Sequence, residues 1–415
     1  MLNTSFSPWP SFTPEEADAV HQVVMSNKVN YWTGNECREF EKEFAAWCGT
    51  SHAIALANGT LALDVALKAL GVGPGDEVIV TPRTFIASVS CVVNAGATPV
   101  FVDVEIDSGN ISARTIESVI TPRTKAVICV HLAGWPCDMD PIMSLGNKHG
   151  FFVIEDCAQA HGAQYKGRSV GSIGHVGAWS FCQDKIMTTG GEGGMVTTND
   201  DALWRSMWSF KDHGKSFAAV YEKKHPPGFR WLHESFGTNW RMIEMQAVIG
   251  RIQLKRMSEW TKLRTHNAHV LYTALKPFSS AGGPIRLPIF GCSPNCIEQS
   301  NGTQICGMAC IHAYYKYYAY VRPKNLGDGW SRDRVVEAIN QRGIPCYQGS
   351  CSEVYLEKAF DGTGWRPSTP LNNAKNLGET SLMFLVHPTL TDQELQDSAR
   401  VIGEVLTEAG LLQSV

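Results

Sequence analysis

One lysine in a glycine-rich stretch is the first candidate for chemistry in this 415-residue chain. Lys185 stands within the run "SFCQDKIMTTGGEGG", which covers residues 180–194. A nucleotide-binding P-loop would place the lysine after the glycines with a hydroxyl residue beside it, and this run has the reverse order. A single lysine surrounded by backbone is suited instead to forming a Schiff base with a carbonyl compound.

Further polar residues follow predicted strands. Asp156 ends the apolar run "VIED", where a carboxylate would be costly unless a cation such as a pyridinium nitrogen faced it. Asn58, Gly59 and Thr60 stand at a strand-to-helix turn, where the first N–H groups of the helix favour a phosphate. Each feature also has a structural interpretation, because Asp156 could cap a turn and the Asn-Gly-Thr run could be an N-cap without a ligand.

Two more residues complete a possible cofactor site. Ser180 adds a hydroxyl five residues before the lysine, and Phe85 follows "VTPRT" at the start of a predicted helix, where its ring could stack on a flat heterocycle. A carboxylate for a pyridinium, a helix start with hydroxyls for a phosphate, an aromatic ring and a lone lysine together indicate a pyridoxal-phosphate site. The joint placement, rather than any single residue, favours this interpretation.

The elements that must position these residues alternate between strands and helices. Short apolar runs predict strands at 53–58, 77–82, 98–104, 125–132 and 151–156, and amphipathic segments between them predict helices. This alternation is typical of an α/β domain, in which helices cover both faces of a mostly parallel sheet. Ligands of such sheets bind at the carboxyl ends of the strands, where the candidate residues stand.

The second half of the chain has a different pattern of predicted strands and helices. A long helix is predicted at roughly 241–276, followed by a strand at 312–321 and helices at 331–343 and 391–410. We therefore predict a large cofactor-binding domain over 1–250 and a smaller C-terminal α+β domain over 251–415. Residues 280–311, rich in Gly, Pro, Asn and Cys, are predicted to be an irregular insertion loop.

The composition excludes several classes of function. A formal net charge of -4 gives no indication of a nucleic-acid partner. The N-terminus does not read as a secretory signal, and no apolar stretch approaches the ~18 residues of a membrane span, so we expect a cytoplasmic protein. The 13 cysteines are odd in number and stand mostly in apolar segments, which favours reduced thiols over a disulfide scaffold.

The chain also resembles a known family. The run "VIEDCAQAHGAQYKGRSVGSIGHVGAWSFCQDKIMTTGGEGGMVTTND" resembles the signature of the DegT/DnrJ/EryC1/StrS family of pyridoxal-phosphate-dependent sugar aminotransferases. The similarity continues through "ALANGTLALDVAL", "TPRTKAVICVHLAGWPCDMDPI", "GTNWRMIEMQAVIGRIQLKRM" and "SLMFLVHPTLT", and covers nearly the whole chain except 280–311. It implies an aspartate-aminotransferase-like fold of fold type I, with a large seven-stranded sheet.

The resemblance also implies roles for individual positions. Lys185 would bond the cofactor and then move the proton between the substrate Cα and the cofactor C4′. Asp156 would pair with the pyridine nitrogen, and Gln159 with the phenolic oxygen of the ring. The other cofactor contacts would be Phe85 stacked on the ring, Gly59, Thr60 and Ser180 at the phosphate, and Asn239, which reaches the phosphate from the neighbouring subunit. The active unit would then be at least a homodimer.

The implied reaction is a transamination. An amino acid, which we expect to be L-glutamate, gives its amino group to a keto group of a nucleotide-linked deoxysugar by a ping-pong mechanism. A cyclitol or carbocyclic acceptor is an alternative, since related sequences act on both. A sugar dehydrase would carry histidine in place of Lys185, and a regulatory protein without turnover would not be expected to keep Lys185, Asp156 and Ser180 together.

Two stretches depart from the family pattern. The family has four residues between the lysine and Gly-Glu-Gly-Gly, whereas "KIMTTGGEGG" has one additional glycine. The insertion loop carries four cysteines in two C-x-x-x-C pairs, which are Cys292, Cys296, Cys306 and Cys310. Such pairs could hold zinc, but zinc knuckles have tighter spacing, so we predict loop cysteines without a metal.

Overall fold

The computed structural model describes residues 6–224, 231–289 and 309–410, and its centre is a seven-stranded sheet. The strand order is β1-β9-β8-β5-β4-β2-β3. Strands β3, β2, β4, β5 and β8 run parallel, while β9 is antiparallel to both β8 and β1. The described strands of the first 200 residues are β1 His52–Leu56, β2 Glu77–Val80, β3 Thr98–Phe101, β4 Thr124–Val130, β5 Phe152–Asp156, β6 Gln164–Tyr165, β7 Arg168–Ser169, β8 Val176–Ser180 and β9 Gly194–Thr198. The predicted seven-stranded, mostly parallel sheet is confirmed.

Helices cover both faces of this sheet, as the nearly continuous apolar strands require. The described α-helices of this part are α1 Pro14–Met25, α2 Glu36–Cys48, α3 Gly59–Ala69, α4 Ala87–Asn94, α5 Ala113–Glu117, α6 Met139–His149, α7 Asp201–Lys211 and α8 Phe217–Tyr221. Two apolar clusters fill the layers between helices and sheet: α3 and α4 pack on one face, and α6 packs on the other.

A smaller antiparallel sheet follows the long helix α9, Glu244–Leu275. Its order is β10-β11-β13-β12, with β10 Ile285–Arg286, β11 Tyr317–Val321, β12 Cys346–Tyr347 and β13 Ser381–Phe384. The described α-helices that follow are α10 Arg332–Gln341, α11 Asn372–Thr380 and α12 Asp392–Ala409. Buried apolar residues of α9, α10 and α12 pack with this sheet into a separate cluster. The C-terminal α+β composition predicted from the sequence is therefore observed.

The long helix runs without interruption through position 250, where the sequence predicted the boundary between the two domains. That division stays a prediction. The predicted strand at 312–321 is wrong in its first half, since β11 begins at Tyr317. Within 312–316 the backbone turns through a positive φ of 48° at Tyr314 and bonds instead to the short turn at 132–134. No helix among the described residues is long and apolar enough to span a membrane.

A buried carboxylate fixes the loop that follows β5. Glu155 is fully buried and accepts hydrogen bonds from the N–H groups of Gly171 (2.9 Å), Ile173 (2.8 Å) and Gly174 (2.6 Å). The fourth donor is His131, whose Nε2 lies 3.0 Å from Glu155 while its Nδ1 accepts from the Cys137 N–H. Burial works against the charge, but these donors lower the pKa of Glu155 below its ordinary value.

We predict that Glu155→Ala lowers the free energy of unfolding by about 3 kcal/mol, because three backbone N–H groups and one buried histidine lose their acceptor. Urea unfolding of cofactor-saturated protein, followed by circular dichroism, measures the effect. The matched control is Glu117→Ala, which removes an exposed carboxylate paired with Lys148 at 3.1 Å and costs less than about 0.5 kcal/mol. Equal midpoints for the two variants would contradict this role of Glu155 in the loop.

Candidate active site

A cavity of about 1030 Å³ lies at the carboxyl ends of the parallel strands, between the two sheets. This is the edge at which ligands bind in open α/β sheets. Seven of the eight residues predicted from the sequence line it: Gly59, Thr60, Phe85, Asp156, Gln159, Ser180 and Lys185. The small sheet and the segment before it contribute Tyr315, Lys316, Tyr318, Tyr347 and Met383.

Two hydrogen-bond donors hold the Asp156 carboxylate in place at the end of β5. Its Oδ2 accepts from the Ser88 hydroxyl at 2.8 Å, and its Oδ1 accepts from the Ala158 N–H at 3.1 Å. The Ser88 hydroxyl lies 2.7 Å from that of Thr84, so a chain of two hydroxyls from the start of α4 supports the carboxylate. The buried carboxylate therefore has a fixed orientation toward the cavity, which suits a pyridinium partner.

The start of α3 forms a cradle together with the end of β8. Asn58 caps the helix, because its Oδ1 accepts from the Leu61 N–H at 3.1 Å, so its side chain serves the helix and not a ligand. A Cβ on Gly59 would lie 2.5 Å from the Cβ of Ser180 and 2.9 Å from its Oγ. Only glycine permits this approach, which places the first N–H groups of α3 beside the Ser180 hydroxyl.

Gln159 is oriented by the backbone. Its Oε1 accepts from the Ala133 N–H at 2.8 Å, which leaves the amide Nε2 as the donor available to a group in the cavity. A phenolic oxygen needs such a donor. Ala133 itself has a positive φ of 57°, so the turn at 132–134 is shaped to deliver this N–H.

Lys185 lies in the loop after β8, and its backbone is anchored on both sides of the Cα atom. Its N–H donates to the Cys182 carbonyl at 3.1 Å, and its carbonyl accepts from the Trp9 indole at 2.8 Å. The Nζ atom lies 5.2 Å from the centre of the Tyr315 ring. Burial opposes the charge of the neighbouring Asp184, but the Lys185 ammonium and the Tyr315 hydroxyl lower the pKa of Asp184.

Phe85 and Asn239 lie at the exterior. The Phe85 ring is 69% exposed at the rim of the cavity, which is unusual for a large apolar side chain and is consistent with stacking on a ligand. Asn239 is exposed and does not line this chain's cavity. Nearby, Phe236 is 99% exposed.

Sequence reasoning missed three groups. Ser88 could have been noticed as a hydroxyl in the apolar helix three residues after Phe85. Tyr315 and Lys316 were hidden by the false strand prediction, since a strand would have alternated their side chains across the small sheet. Their backbone is instead bonded to the turn at 132–134, with the N–H of Tyr315 donating to the Ala133 carbonyl at 2.9 Å.

The additional glycine of the lysine loop is accommodated by a turn. Gly190 and Gly191 both have positive φ, 82° and 115°, so two successive residues adopt a conformation that favours glycine. The Thr188 hydroxyl accepts from the Gly191 N–H at 3.1 Å, and Gln246 donates to the Glu192 carbonyl at 2.7 Å. The longer loop is ordered by these bonds and brings Glu192 to the cavity wall.

Metal binding has little support in the described residues. Cys292, Cys296 and Cys306 lie outside them, and Cys310 is buried, with its Sγ accepting from the Lys166 N–H at 3.3 Å. His131, Glu155 and Cys157 lie close enough together for a shared ion, but the hydrogen bonds of Glu155 and His131 described above already use their ligand atoms. Free thiols stand at Cys37, Cys48, Cys91, Cys129, Cys137, Cys157, Cys182, Cys346 and Cys351.

The residues that line the cavity fit pyridoxal 5′-phosphate. A fixed buried carboxylate, an oriented amide, the start of α3 and a lysine all face one cavity. Together with the seven-stranded sheet, they define a pyridoxal-phosphate enzyme of fold type I.

Comparison with known proteins supports this class. The sequence model of the DegT/DnrJ/EryC1/StrS aminotransferase family matches residues 10–405, and the chain belongs to this family. An aminotransferase from Psychrobacter cryohalolentis, solved by X-ray crystallography, is 64% identical with a TM-score of 0.92, over 97% of this chain and 99% of that one.

Two curated relatives match over part of the chain. GDP-perosamine synthase of Caulobacter vibrioides is 49% identical over 250 residues, which are 60% of this chain and 64% of that protein. UDP-N-acetyl-3-dehydro-alpha-D-glucosamine 3-aminotransferase of Acidithiobacillus ferrooxidans is 46% identical over 240 residues, 58% of this chain and 62% of that protein. The match thus spans less than two thirds of the length of either relative.

We predict that Gly59→Ala weakens cofactor binding roughly tenfold or more, since the added methyl group forces α3 away from Ser180 and breaks the cradle. Titration of apoprotein with pyridoxal phosphate, followed by fluorescence quenching, gives the dissociation constant. Gly73→Ala is the control, because the nearest atom to its Cβ would be 4.0 Å away. A Gly59→Ala protein with unchanged affinity would place the phosphate elsewhere.

Proposed function

We propose that this chain is an aminotransferase that moves an amino group from L-glutamate to a ketone of a nucleotide-linked deoxysugar, with both half-reactions in one cavity. The observation that carries the proposal is the convergence of Lys185, Asp156 and the α3 cradle on that cavity. When bound, pyridoxal phosphate supplies an electron sink for the carbon that loses a proton.

Lys185 is the proton carrier of the proposed mechanism. Its Nζ takes the α-proton of the donor in the first half-reaction and returns a proton to the former ketone carbon of the acceptor in the second. The anchored backbone of Lys185 holds the start of this side chain in place, while the methylene stem lets the amine move between the two positions.

Asp156 and Gln159 orient the cofactor ring. Asp156 would accept a hydrogen bond from the pyridine nitrogen of the bound cofactor and would favour its protonated form. Gln159 donates from Nε2 to the phenolic oxygen. The two hydroxyls behind Asp156 stabilise the carboxylate in the orientation that this contact needs.

The size of the cavity supports a large substrate. Single drug-sized ligands occupy pockets of roughly 300–1,000 Å³, and the cavity here, at about 1030 Å³, is slightly larger than that range. The names of both curated relatives refer to nucleotide-linked sugars, with different nucleotides. They support the substrate class without selecting the nucleotide.

A homodimer with shared active sites is part of the proposal. Asn239 is exposed outside this chain's cavity, in a segment that also presents the nearly fully exposed Phe236. An exposed aromatic ring of this size is typical of a surface that a partner covers. Asn239 then donates to the phosphate held by the neighbouring subunit. We also expect the enzyme to act in the cytoplasm, where its free thiols stay reduced.

The direct test incubates the holoenzyme with L-glutamate and a panel of nucleotide-linked 3-keto and 4-keto sugars. We expect at least one sugar to gain the mass of an amine in place of its ketone oxygen, as read by mass spectrometry. Lys185→Ala should abolish the conversion, and Lys324→Ala, an exposed lysine in the C-terminal half, should retain it. Amination of a cyclitol ketone in the absence of any sugar product would contradict the substrate class.

Subunit complementation tests the shared site. Asn239→Asp would repel the phosphate, and Lys185→Ala removes the proton carrier, so each variant alone should be inactive. After mixed refolding, half of the dimers are hybrids with one intact site, and activity should recover to about a quarter of the wild-type value. If Asn239 serves its own chain, every hybrid site keeps one defect and no activity returns.

A further inference from the structure

A second lysine faces the cavity, and neither the family comparison nor the proposed mechanism uses it. Lys316 lines the cavity directly before β11, and its Nζ lies 4.9 Å from the centre of the Tyr315 ring. The Nζ of Lys185 lies 5.2 Å from the same ring, so the two amines are no farther apart than the sum of these distances. Among the described residues, Lys316 has no carboxylate within ion-pair distance.

The surroundings of Lys316 are rich in positive charge. Lys185 faces it from the β8 loop, and Arg264 faces it from α9, where the guanidinium is buried and bonds to the Tyr314 carbonyl at 3.2 Å. The nearby acid is Asp184, which already accepts a hydrogen bond from the Tyr315 hydroxyl. Burial lowers the pKa of Lys316 to about 8. The negative charge of Asp184 raises this pKa, and the positive charges of Arg264 and Lys185 lower it. An anion bound here would be favoured by all three cations.

The position of Lys316 beside Lys185 indicates which of the two substrate anions it binds, the donor carboxylate or the diphosphate. In an α-amino acid the α-carboxylate is attached to the carbon that exchanges its proton with Lys185, so it must lie close to that lysine. In a nucleotide-linked hexose, the sugar ring separates the diphosphate from a ketone at C3 or C4. A cation beside Lys185 is therefore placed for the donor carboxylate, while the diphosphate lies farther out.

We propose that Lys316 binds a carboxylate of the amino donor and thereby sets the affinity of the first half-reaction. This assignment rests on the proposed transaminase function. Two backbone hydrogen bonds fix the segment that carries Lys316 to the turn at 132–134. The Ala313 N–H donates to the Gly134 carbonyl and the Tyr315 N–H donates to the Ala133 carbonyl, each at 2.9 Å. The ammonium is a positioning group, and Lys185 remains the proton carrier.

The test measures ligand binding to the holoenzyme by calorimetry. The probes are glutarate, a dicarboxylate without an amine to transfer, and the nucleotides UDP and GDP. Lys316→Met should weaken glutarate binding roughly tenfold or more, because a charge-assisted hydrogen bond is lost. The dissociation constant of whichever nucleotide binds more tightly, UDP or GDP, should stay within about twofold of the wild-type value. Lys316→Arg, which keeps the charge, should retain most of the glutarate affinity. Lys324→Met, at an exposed lysine, is the matched control.

The outcomes separate this assignment from the proposed function. A wild-type holoenzyme whose visible spectrum does not respond to L-glutamate contradicts the transaminase function itself. If the wild type responds and Lys316→Met binds glutarate as tightly as the control, the assignment of Lys316 is wrong. A loss confined to the nucleotides would overturn it as well, and would assign the lysine to the diphosphate. An unchanged cofactor spectrum in Lys316→Met shows that the variant is folded and loaded.

Discussion

The site depends on a close approach of backbones at the centre of the large sheet. The turn between β1 and α3 lies directly against the end of β8 and the start of β9, and two glycines make this contact possible. A side chain at Gly59 would overlap Ser180, and a side chain at Gly194 would overlap the Asn58 carbonyl. Because β9 runs antiparallel between β1 and β8, the start of α3 and the end of β8 meet at one edge. The helix N-terminus, Ser180 and the lysine loop are thereby brought together.

The second wall of the cavity is supplied by the C-terminal part and is fixed by hydrogen bonds to the first wall. The turn at 132–134 serves both sides, since the Ala133 N–H orients Gln159 while the Ala133 and Gly134 carbonyls accept from Tyr315 and Ala313. One short turn therefore sets the positions of a cofactor-facing amide and of the segment that carries Lys316. The positive φ of Ala133 is local strain that the surrounding bonds maintain, whereas the neighbouring Gly134 adopts positive φ without strain.

Much of this arrangement could be predicted from the sequence, and the reasons are local. The strands of the large sheet are short apolar runs with clear turn residues, so their order along the chain and the residues at their carboxyl ends were recognisable. The α9 helix, predicted at 241–276, is observed at Glu244–Leu275. What failed was the segment at 312–316, whose aromatic residues favour a strand by propensity but bond to a turn distant in the sequence. The position of Lys316 and the hydrogen bond from Ser88 to Asp156 depend on such tertiary contacts; the local sequence shows a hydroxyl at position 88 but does not predict its partner.

The proposed chemistry requires that Lys185, and not the other cavity lysine, is the amine that bonds the cofactor. Borohydride reduction of the holoenzyme followed by peptide mapping measures this directly. We predict that the cofactor mass is found on the peptide that contains Lys185, in an amount close to one per chain, and is absent from the peptide that contains Lys316. A label on Lys316, on another lysine, or on none would contradict the assignment of the site.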